Sequence, residues 1–170
     1  MLLLCHNHCH PAATLPLPPP DTSPPHPCAM AEDSPQVPHH ILYLDDDDSL
    51  IFLVRRLLEI EGFKVSAFSE QSEAIAAVKA DGDAFDLVIS DFMMPQMNGS
   101  ELLAQVRERW PETIRIMLTG HANTEAVMGS IRDGAVYRFI LKPWNDDDLR
   151  LTIALALEQY ALQQRNRTLV

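Results

Sequence analysis

The sequence predicts an α/β protein with a parallel, doubly wound sheet that carries helices on both faces. Between residue 39 and about residue 164, short apolar runs alternate with longer segments whose apolar residues recur at helical spacing. This alternation is typical of parallel sheets, because two parallel neighbours need a crossover connection that a helix usually supplies. The short runs are apolar almost throughout, which indicates strands that are buried on both faces.

Five strands and five helices are predicted in strict alternation. The strands are expected at residues 41–44, 64–68, 85–90, 114–119 and 136–141. The helices are expected at residues 50–58, 69–80, 101–109, 124–133 and from about 145 to 164. Asp48 or Ser49 is the expected cap of the first helix, and Asn145 or Asp146 is that of the last. Gly62 is expected to end the first helix.

The composition suits a globular domain with a tail. The 170 residues are 46% hydrophobic and 22% charged, with a formal net charge of -11. This acidic balance argues against direct binding of nucleic acid, which needs a basic patch to displace the counterions of the phosphates. The sequence has no run near the roughly 20 apolar residues that a membrane helix needs. We therefore expect a cytoplasmic protein without a membrane partner.

The first 38 residues differ in character from the rest. They hold ten of the thirteen prolines and show almost no periodic apolar pattern, which is typical of extended or disordered segments. We expect residues 1–38 to be a disordered, proline-rich extension, and residues 39–170 to form one domain with its core at about 41–164. The extension contains Cys5-His6-Asn7-His8-Cys9-His10, but this spacing matches no compact zinc module, so we assign no metal to it.

Chemically active side chains follow four of the predicted strands. The first strand runs into the aspartates at 45–47, the third into Asp91, the fourth into Thr119 and the fifth into Lys142. The carboxyl ends of parallel strands meet at one edge of such a sheet, where these folds hold their sites. Crowded carboxylates repel one another unless a cation offsets their charge, and oxygen ligands in a shallow site suit Mg2+. A carboxylate can also accept phosphate covalently, while Lys142 and Thr119 can hold phosphoryl oxygens.

These residues stand in motifs that resemble those of the response-regulator receiver family of two-component signalling, the chemotaxis receivers included. The motifs are Ile41-Leu42-Tyr43-Leu44-Asp45-Asp46-Asp47, Asp91-Phe92-Met93-Met94-Pro95-Gln96-Met97-Asn98-Gly99, Leu118-Thr119-Gly120 and Lys142-Pro143-Trp144. The resemblance covers about residues 40–164. It implies a flavodoxin-like fold with strand order 2-1-3-4-5, and a cis peptide bond between Lys142 and Pro143.

The resemblance also implies roles in a phosphorelay. Asp91 would be the phosphoacceptor, and Thr119 and Lys142 would bind the oxygens of the phosphoryl group. Phe139, three residues before Lys142, would occupy an aromatic switch position, and Thr119 would couple that switch to phosphorylation.

The cofactor that the resemblance implies is Mg2+. Asp46 would bind the ion directly, and Asp45 would help through a water molecule. Asp91 and the backbone carbonyl of Met93 would complete the protein ligands.

The implied partners are proteins. The phosphoryl donor would be a histidine kinase or a histidine phosphotransferase, and a downstream protein target would read the result. The face made by the fourth helix, fifth strand and fifth helix would bind that target or form a homodimer. The protein would then be a signalling domain and not an enzyme, since its catalysis would be confined to its own phosphorylation and dephosphorylation. Six residues follow residue 164, so we expect a stand-alone receiver.

Two other interpretations stay open at this point. An apolar strand followed by Asp45-Asp46-Asp47 also fits a haloacid-dehalogenase-type phosphatase, with Asp45 as nucleophile and Asp47 as acid. That interpretation leaves Asp91 without a role. The other alternative is a pseudo-receiver that acts only as a binding module, although all the residues needed for phosphorylation are present.

Overall fold

Five strands alternate with five helices in this computed structural model, which describes residues 37–81, 84–95, 98–120 and 124–169. The strands are β1 (His40–Leu44), β2 (Lys64–Phe68), β3 (Leu87–Asp91), β4 (Ile114–Thr119) and β5 (Arg138–Leu141). The helices are α1 (Asp48–Ile60), α2 (Gln71–Asp81), α3 (Gly99–Arg109), α4 (Thr124–Arg132) and α5 (Asp146–Thr168). Residues 1–36 of the expected extension, with their Cys/His segment, lie outside the described residues.

The strands form one parallel sheet in the order β2-β1-β3-β4-β5, which confirms the predicted order. The chain passes from β1 to β2 on one side, and then crosses back to β3 on the other side of β1. This reversal creates a topological switch point between the carboxyl ends of β1 and β3, where ligands of such sheets bind. Leu44 pairs with Ser90 in the register, so the next residues, Asp45 and Asp91, are neighbours there.

Alternate side chains of β1 contribute to two separate core layers. Ile41 and Tyr43 pack with buried residues of α1 and α5, whereas Leu42 and Leu44 pack with those of α2, α3 and α4. Because strand side chains alternate between faces, Asp45 lies on the same face of the sheet as Tyr43. None of the helices in the described part of the chain is both long and apolar enough to cross a membrane.

Some element ends differ from the predicted ones. Strands β2 and β4 have the predicted bounds, but β5 begins at Arg138 and not at residue 136. The backbone N–H groups of Ala135 and Val136 both donate to the carbonyl of Ser130. These residues therefore close the end of α4 instead of joining the sheet. Helix α5 continues past residue 164 to Thr168.

Aspartate and asparagine side chains cap three of the helices. Asp47 caps α1, so the prediction of Asp48 or Ser49 was wrong. The Asp47 carboxylate accepts hydrogen bonds from two backbone N–H groups of the first turn, at 2.9 and 3.4 Å. Asn98 caps α3, and Asn145 caps α5 as predicted.

The residues after β5 are tied to the end of β4. The Lys142–Pro143 peptide bond is cis, as the resemblance implies. The backbone N–H of Lys142 donates to the carbonyl oxygen of Thr119 at 2.8 Å. This bond holds the Lys142 backbone at the carboxyl edge of the sheet.

Candidate functional site

Three of the predicted site residues, one lysine and the two aspartates that it contacts, lie together at the switch point. Asp45 follows β1, Asp91 ends β3 and Lys142 follows β5. The Lys142 Nζ lies 3.0 Å from Asp45 Oδ2 and 3.1 Å from Asp91 Oδ1. One ammonium group therefore bridges two carboxylates that come from different strands.

The Asp45 carboxylate is enclosed by hydrogen-bond donors. It has no exposed surface. Its Oδ2 accepts from the Lys142 ammonium at 3.0 Å and from the Tyr43 hydroxyl at 2.9 Å. Its Oδ1 accepts from the backbone N–H of Asp47 at 3.0 Å. A buried carboxylate is costly unless it is paired and hydrogen-bonded, and these three donors meet that requirement.

For both Asp91 and Lys142, burial and the charge of the ion-pair partner shift the pKa in opposite directions. Burial raises the pKa of Asp91, the Lys142 ammonium lowers it, and the charges of Asp45 and Asp46 raise it further, so that the net pKa is raised. For Lys142, burial lowers the pKa, but the hydrogen bonds and charges of Asp45 and Asp91 outweigh burial and raise the pKa overall. Lys142 is therefore a cation at neutral pH.

Asp45, Asp46 and Asp91 form a cluster that can hold a cation. Each offers a carboxylate oxygen, and these oxygens all lie within 4.8 Å of one another. Asp45 and Asp91 are buried, whereas Asp46 is exposed beside a cleft of about 230 Å³ that Glu70 and Met94 also line. Oxygen donors with access to water fit Mg2+, which keeps several of its waters when it binds to proteins.

Thr119 lies at the same edge but outside the hydrogen-bonded cluster. It ends β4, pairs with Leu141 of β5 and is only 1% exposed. Its hydroxyl donates to the carbonyl oxygen of Gly120 at 3.1 Å. In this structure the Thr119 hydroxyl is therefore engaged by its own backbone neighbour.

The loop after β3 brings the start of α3 against Asp91. The Met93 side chain is 61% exposed, whereas Met94 packs against the core layer of α2, α3 and α4. The backbone N–H of Gly99 donates to the carbonyl of Phe92 at 3.0 Å. A Cβ at Gly99 would lie 2.1 Å from the carbonyl oxygen of Asp91. This close approach requires glycine at the first residue of α3.

Phe139 lies on β5, the strand that leads to Lys142. It is partly buried in β5, pairs with Met117 of β4 and packs against the core layer that contains α4. The ring thus sits partly within the core in this structure.

Tyr43 and Gly99 are residues of the site to which the motifs gave no role. Tyr43 donates directly to Asp45, and Gly99 permits the approach of α3 to Asp91. Residues i and i+2 of a strand share a face. The sequence therefore indicates that the Tyr43 hydroxyl lies on the same face as the Asp45 carboxylate. A glycine directly after the Asn98 cap is a weaker signal for the second residue.

The phosphatase interpretation conflicts with this geometry. It needs Asp45 as an attacking group, but Asp45 has no exposed surface. It needs Asp47 as an acid, but the Asp47 carboxylate caps α1. Asp91, which that interpretation leaves without a role, contacts the bridging lysine.

Comparisons with known proteins agree with the fold. The family model described as response regulator receiver domain matches residues 41–154. The hydrogenase transcriptional regulatory protein HoxA of Cupriavidus necator is 35% identical over 123 residues, which are 72% of this chain and 25% of that protein. The C4-dicarboxylate transport transcriptional regulatory protein DctD of Rhizobium meliloti is 36% identical over 129 residues, which are 76% of this chain and 27% of that protein.

One similar solved structure is matched over almost its whole length. The crystal structure of a response regulator receiver domain protein from Clostridium thermocellum has a TM-score of 0.70 at 27% identity, and the match covers 74% of this chain and 98% of that one. The chain spans about a quarter of the length of the two curated relatives. With its motifs, sheet order and match over residues 41–154 in agreement, the chain belongs to the response regulator receiver domain family, whose members are signalling domains and not dedicated enzymes.

Proposed function

We propose that this receiver accepts a phosphoryl group on Asp91 and thereby changes a protein-binding surface. The observation that carries the proposal is the Lys142 ammonium, 3.1 Å from Asp91 and 3.0 Å from Asp45. A cation that already lies beside a carboxylate can offset the charge of a transferring phosphoryl group. The donor is a phosphohistidine on a histidine kinase or a histidine phosphotransferase, as the family implies.

The transfer exchanges one bond to phosphorus for another. A carboxylate oxygen of Asp91 forms the new P–O bond while the P–N bond of the donor breaks, and the imidazole leaves and takes up a proton. Asp91 must be ionised to attack. Lys142 favours that state because its charge opposes the effect of burial on the pKa of Asp91.

The residues that would hold Mg2+ are the three clustered aspartates and the backbone carbonyl of Met93. Carboxylate oxygens within 4.8 Å of one another support this assignment. When bound, the ion would supply positive charge to the phosphoryl oxygens. Both oxygens of Asp45 already accept protein hydrogen bonds. We therefore assign Asp45 to contact through water, and Asp46 to direct binding.

The surface change begins at Thr119 in this proposal. A phosphoryl group on Asp91 would attract the Thr119 hydroxyl away from the Gly120 carbonyl that it now contacts. The vacated space would let Phe139 turn further inward, as a shift between two populated states. The face of α4, β5 and α5 carries exposed apolar side chains such as Met128 and Leu141. This face is our proposed binding site for a downstream protein or a second copy of the chain.

Labelling with a small phosphodonor tests the proposal without a kinase. Acetyl phosphate with Mg2+ should phosphorylate the wild-type chain, and chelation of Mg2+ should stop the reaction. The Asp91→Asn variant should not react, whereas Asp133→Asn, which alters an exposed aspartate at the end of α4, should react like wild type. Asp46→Ala should need more Mg2+ for the same rate.

Two results would contradict the proposal. If Asp91→Asn is labelled at the wild-type rate, the acceptor is another residue. If the folded wild-type chain is not labelled by any acyl phosphate, the result contradicts our proposal and favours the pseudo-receiver interpretation, in which the domain acts by binding alone.

A further inference from the structure

Tyr43 is a phenol completely buried beside the site. It is the fourth of the five residues of β1, none of its surface is exposed, and its ring belongs to the core layer of α1 and α5. Its hydroxyl donates to Asp45 Oδ2 at 2.9 Å. Burial raises the pKa of this hydroxyl, and the charge and hydrogen bond of Asp45 raise it further, so the group is a neutral donor.

The same carboxylate oxygen is shared between Tyr43 and Lys142. The Lys142 ammonium lies 3.0 Å from Asp45 Oδ2, the oxygen that also accepts from the tyrosine. Lys142 is itself divided between Asp45 and Asp91. The position of Oδ2 therefore helps to determine where the ammonium lies relative to Asp91.

The tyrosine is held more firmly than Lys142, the other donor to Asp45 Oδ2. Its ring has two side-chain torsions and is surrounded by core residues, so the hydroxyl cannot move far from Asp45. Lysine has a long, flexible stem and is 24% exposed here. A rigid donor on Oδ2 can keep the carboxylate oriented whatever the lysine does.

We propose that Tyr43 is a positioning residue, which orients the Asp45 carboxylate and through it places the Lys142 ammonium beside Asp91. The consequence for phosphoryl transfer rests on the proposed function, but the placement of Lys142 does not. The competing explanation is that Tyr43 is a core aromatic residue whose hydroxyl has merely found an acceptor.

Side-chain NMR of the metal-free protein tests the placement directly. The chain has three lysines, and Lys64 and Lys79 are both exposed. In lysine-labelled protein, the hydrogen-bonded Lys142 ammonium should give a resolved signal with slow solvent exchange, which the Lys142→Arg variant assigns. In Tyr43→Phe that exchange should quicken, because the Asp45 oxygen that accepts from Lys142 loses its rigid second donor.

A matched variant controls for the loss of a phenol hydroxyl. Tyr137 is partly exposed, and its hydroxyl contacts Gln159 away from Asp45. Tyr137→Phe should therefore leave the Lys142 signal unchanged, and urea unfolding should show that both variants are folded. An unchanged Lys142 signal in folded Tyr43→Phe, or an equal change in both variants, would overturn the proposal.

Phosphorylation kinetics provide the functional measurement. With acetyl phosphate and saturating Mg2+, the maximal rate of Tyr43→Phe should fall about ten-fold, while the donor concentration for half-maximal rate stays the same. A rate equal to that of wild type would show that the placement has no role in transfer. If wild type is not phosphorylated, the proposed function fails, whereas the NMR comparison still decides the placement.

Discussion

Asp45 and Asp91 are both buried carboxylates, but their oxygens are used differently. Asp45 has no exposed surface and accepts from Tyr43, Lys142 and a backbone N–H. Asp91 is 5% exposed and has Lys142 at Oδ1. A carboxylate whose two oxygens are engaged serves as a fixed partner for the lysine, and its neighbour is the better candidate for covalent chemistry. This contrast supports Asp91 as the acceptor in our proposal.

A single methyl group at Gly99 should disrupt the approach of α3 to Asp91. The Cβ of Gly99→Ala would lie 2.1 Å from the Asp91 carbonyl oxygen, so the helix start or the Asp91 backbone must shift. We expect a loss of about 1–3 kcal/mol in the free energy of unfolding, as for other overpacked sites. Urea unfolding measures it.

Gly129→Ala is the matched control for that prediction. Gly129 lies inside α4, and a Cβ there would meet nothing within 4 Å. Because alanine favours the helix, this variant should gain up to about 1 kcal/mol. Equal stability of Gly99→Ala and wild type would show that the α3 start is not constrained as described.

At the scale of elements, the run of four aspartates is divided between β1 and α1. Asp45 pairs with Lys142 at the end of the strand, and Asp46 is the exposed member of the acidic cluster. Asp47 caps α1, and Asp48 lies in its first turn. Residues of one type thus have different functions because the chain turns from strand to helix within the run.

Replacing the Asp47 cap should lower stability but leave phosphorylation unchanged. Asp47→Ala removes the acceptor for two backbone N–H groups of α1 and should cost about 1 kcal/mol in urea unfolding. Asp48→Ala, at the exposed neighbour, should cost less. If Asp47→Ala abolishes labelling by acetyl phosphate while the chain stays folded, Asp47 is part of the chemistry, as the phosphatase interpretation requires.

The elements were more predictable than the contacts between side chains. Apolar runs and terminal aspartates were enough to predict the parallel sheet and the edge that carries Asp91 and Lys142, because strand direction alone places them there. The α1 cap was missed because every aspartate in the run can cap a helix. The bond from Tyr43 to Asp45 depends on side-chain torsions that periodicity does not report, although their shared strand face was predictable.

The whole molecule assembles its site from residues far apart in sequence. Sheet order β2-β1-β3-β4-β5 places the ends of β1 and β3 side by side. The amino end of β1 lies on the opposite side of the sheet from the site, where the His39 ring lies 3.1 Å from the Asp86 carboxylate. We therefore propose that residues 39–170 form the receiver domain without help from residues 1–38.

A chain that begins at Met30 should melt and react like the full-length chain. The proline-rich segment that it lacks shows almost no periodic apolar pattern that could form a core and offset the entropy of ordering. A chain that begins at Ile41 is the matched control, because it also loses the contacts of His39 and His40 with Asp86, and it should melt at a lower temperature. Calorimetry measures both, and a large drop for the Met30 chain would contradict the domain boundary.

Chemical mapping of the modified residue is the decisive experiment on whether Asp91 carries the phosphoryl group. Borohydride reduces an aspartyl phosphate to homoserine, so the position of the modification survives digestion and can be read by mass spectrometry. After treatment with acetyl phosphate and Mg2+, we predict homoserine at residue 91 of the wild-type chain and none in Asp91→Asn. Homoserine at residue 45 or 46, or its absence throughout the folded wild-type chain, would show that Asp91 is not the phosphoacceptor.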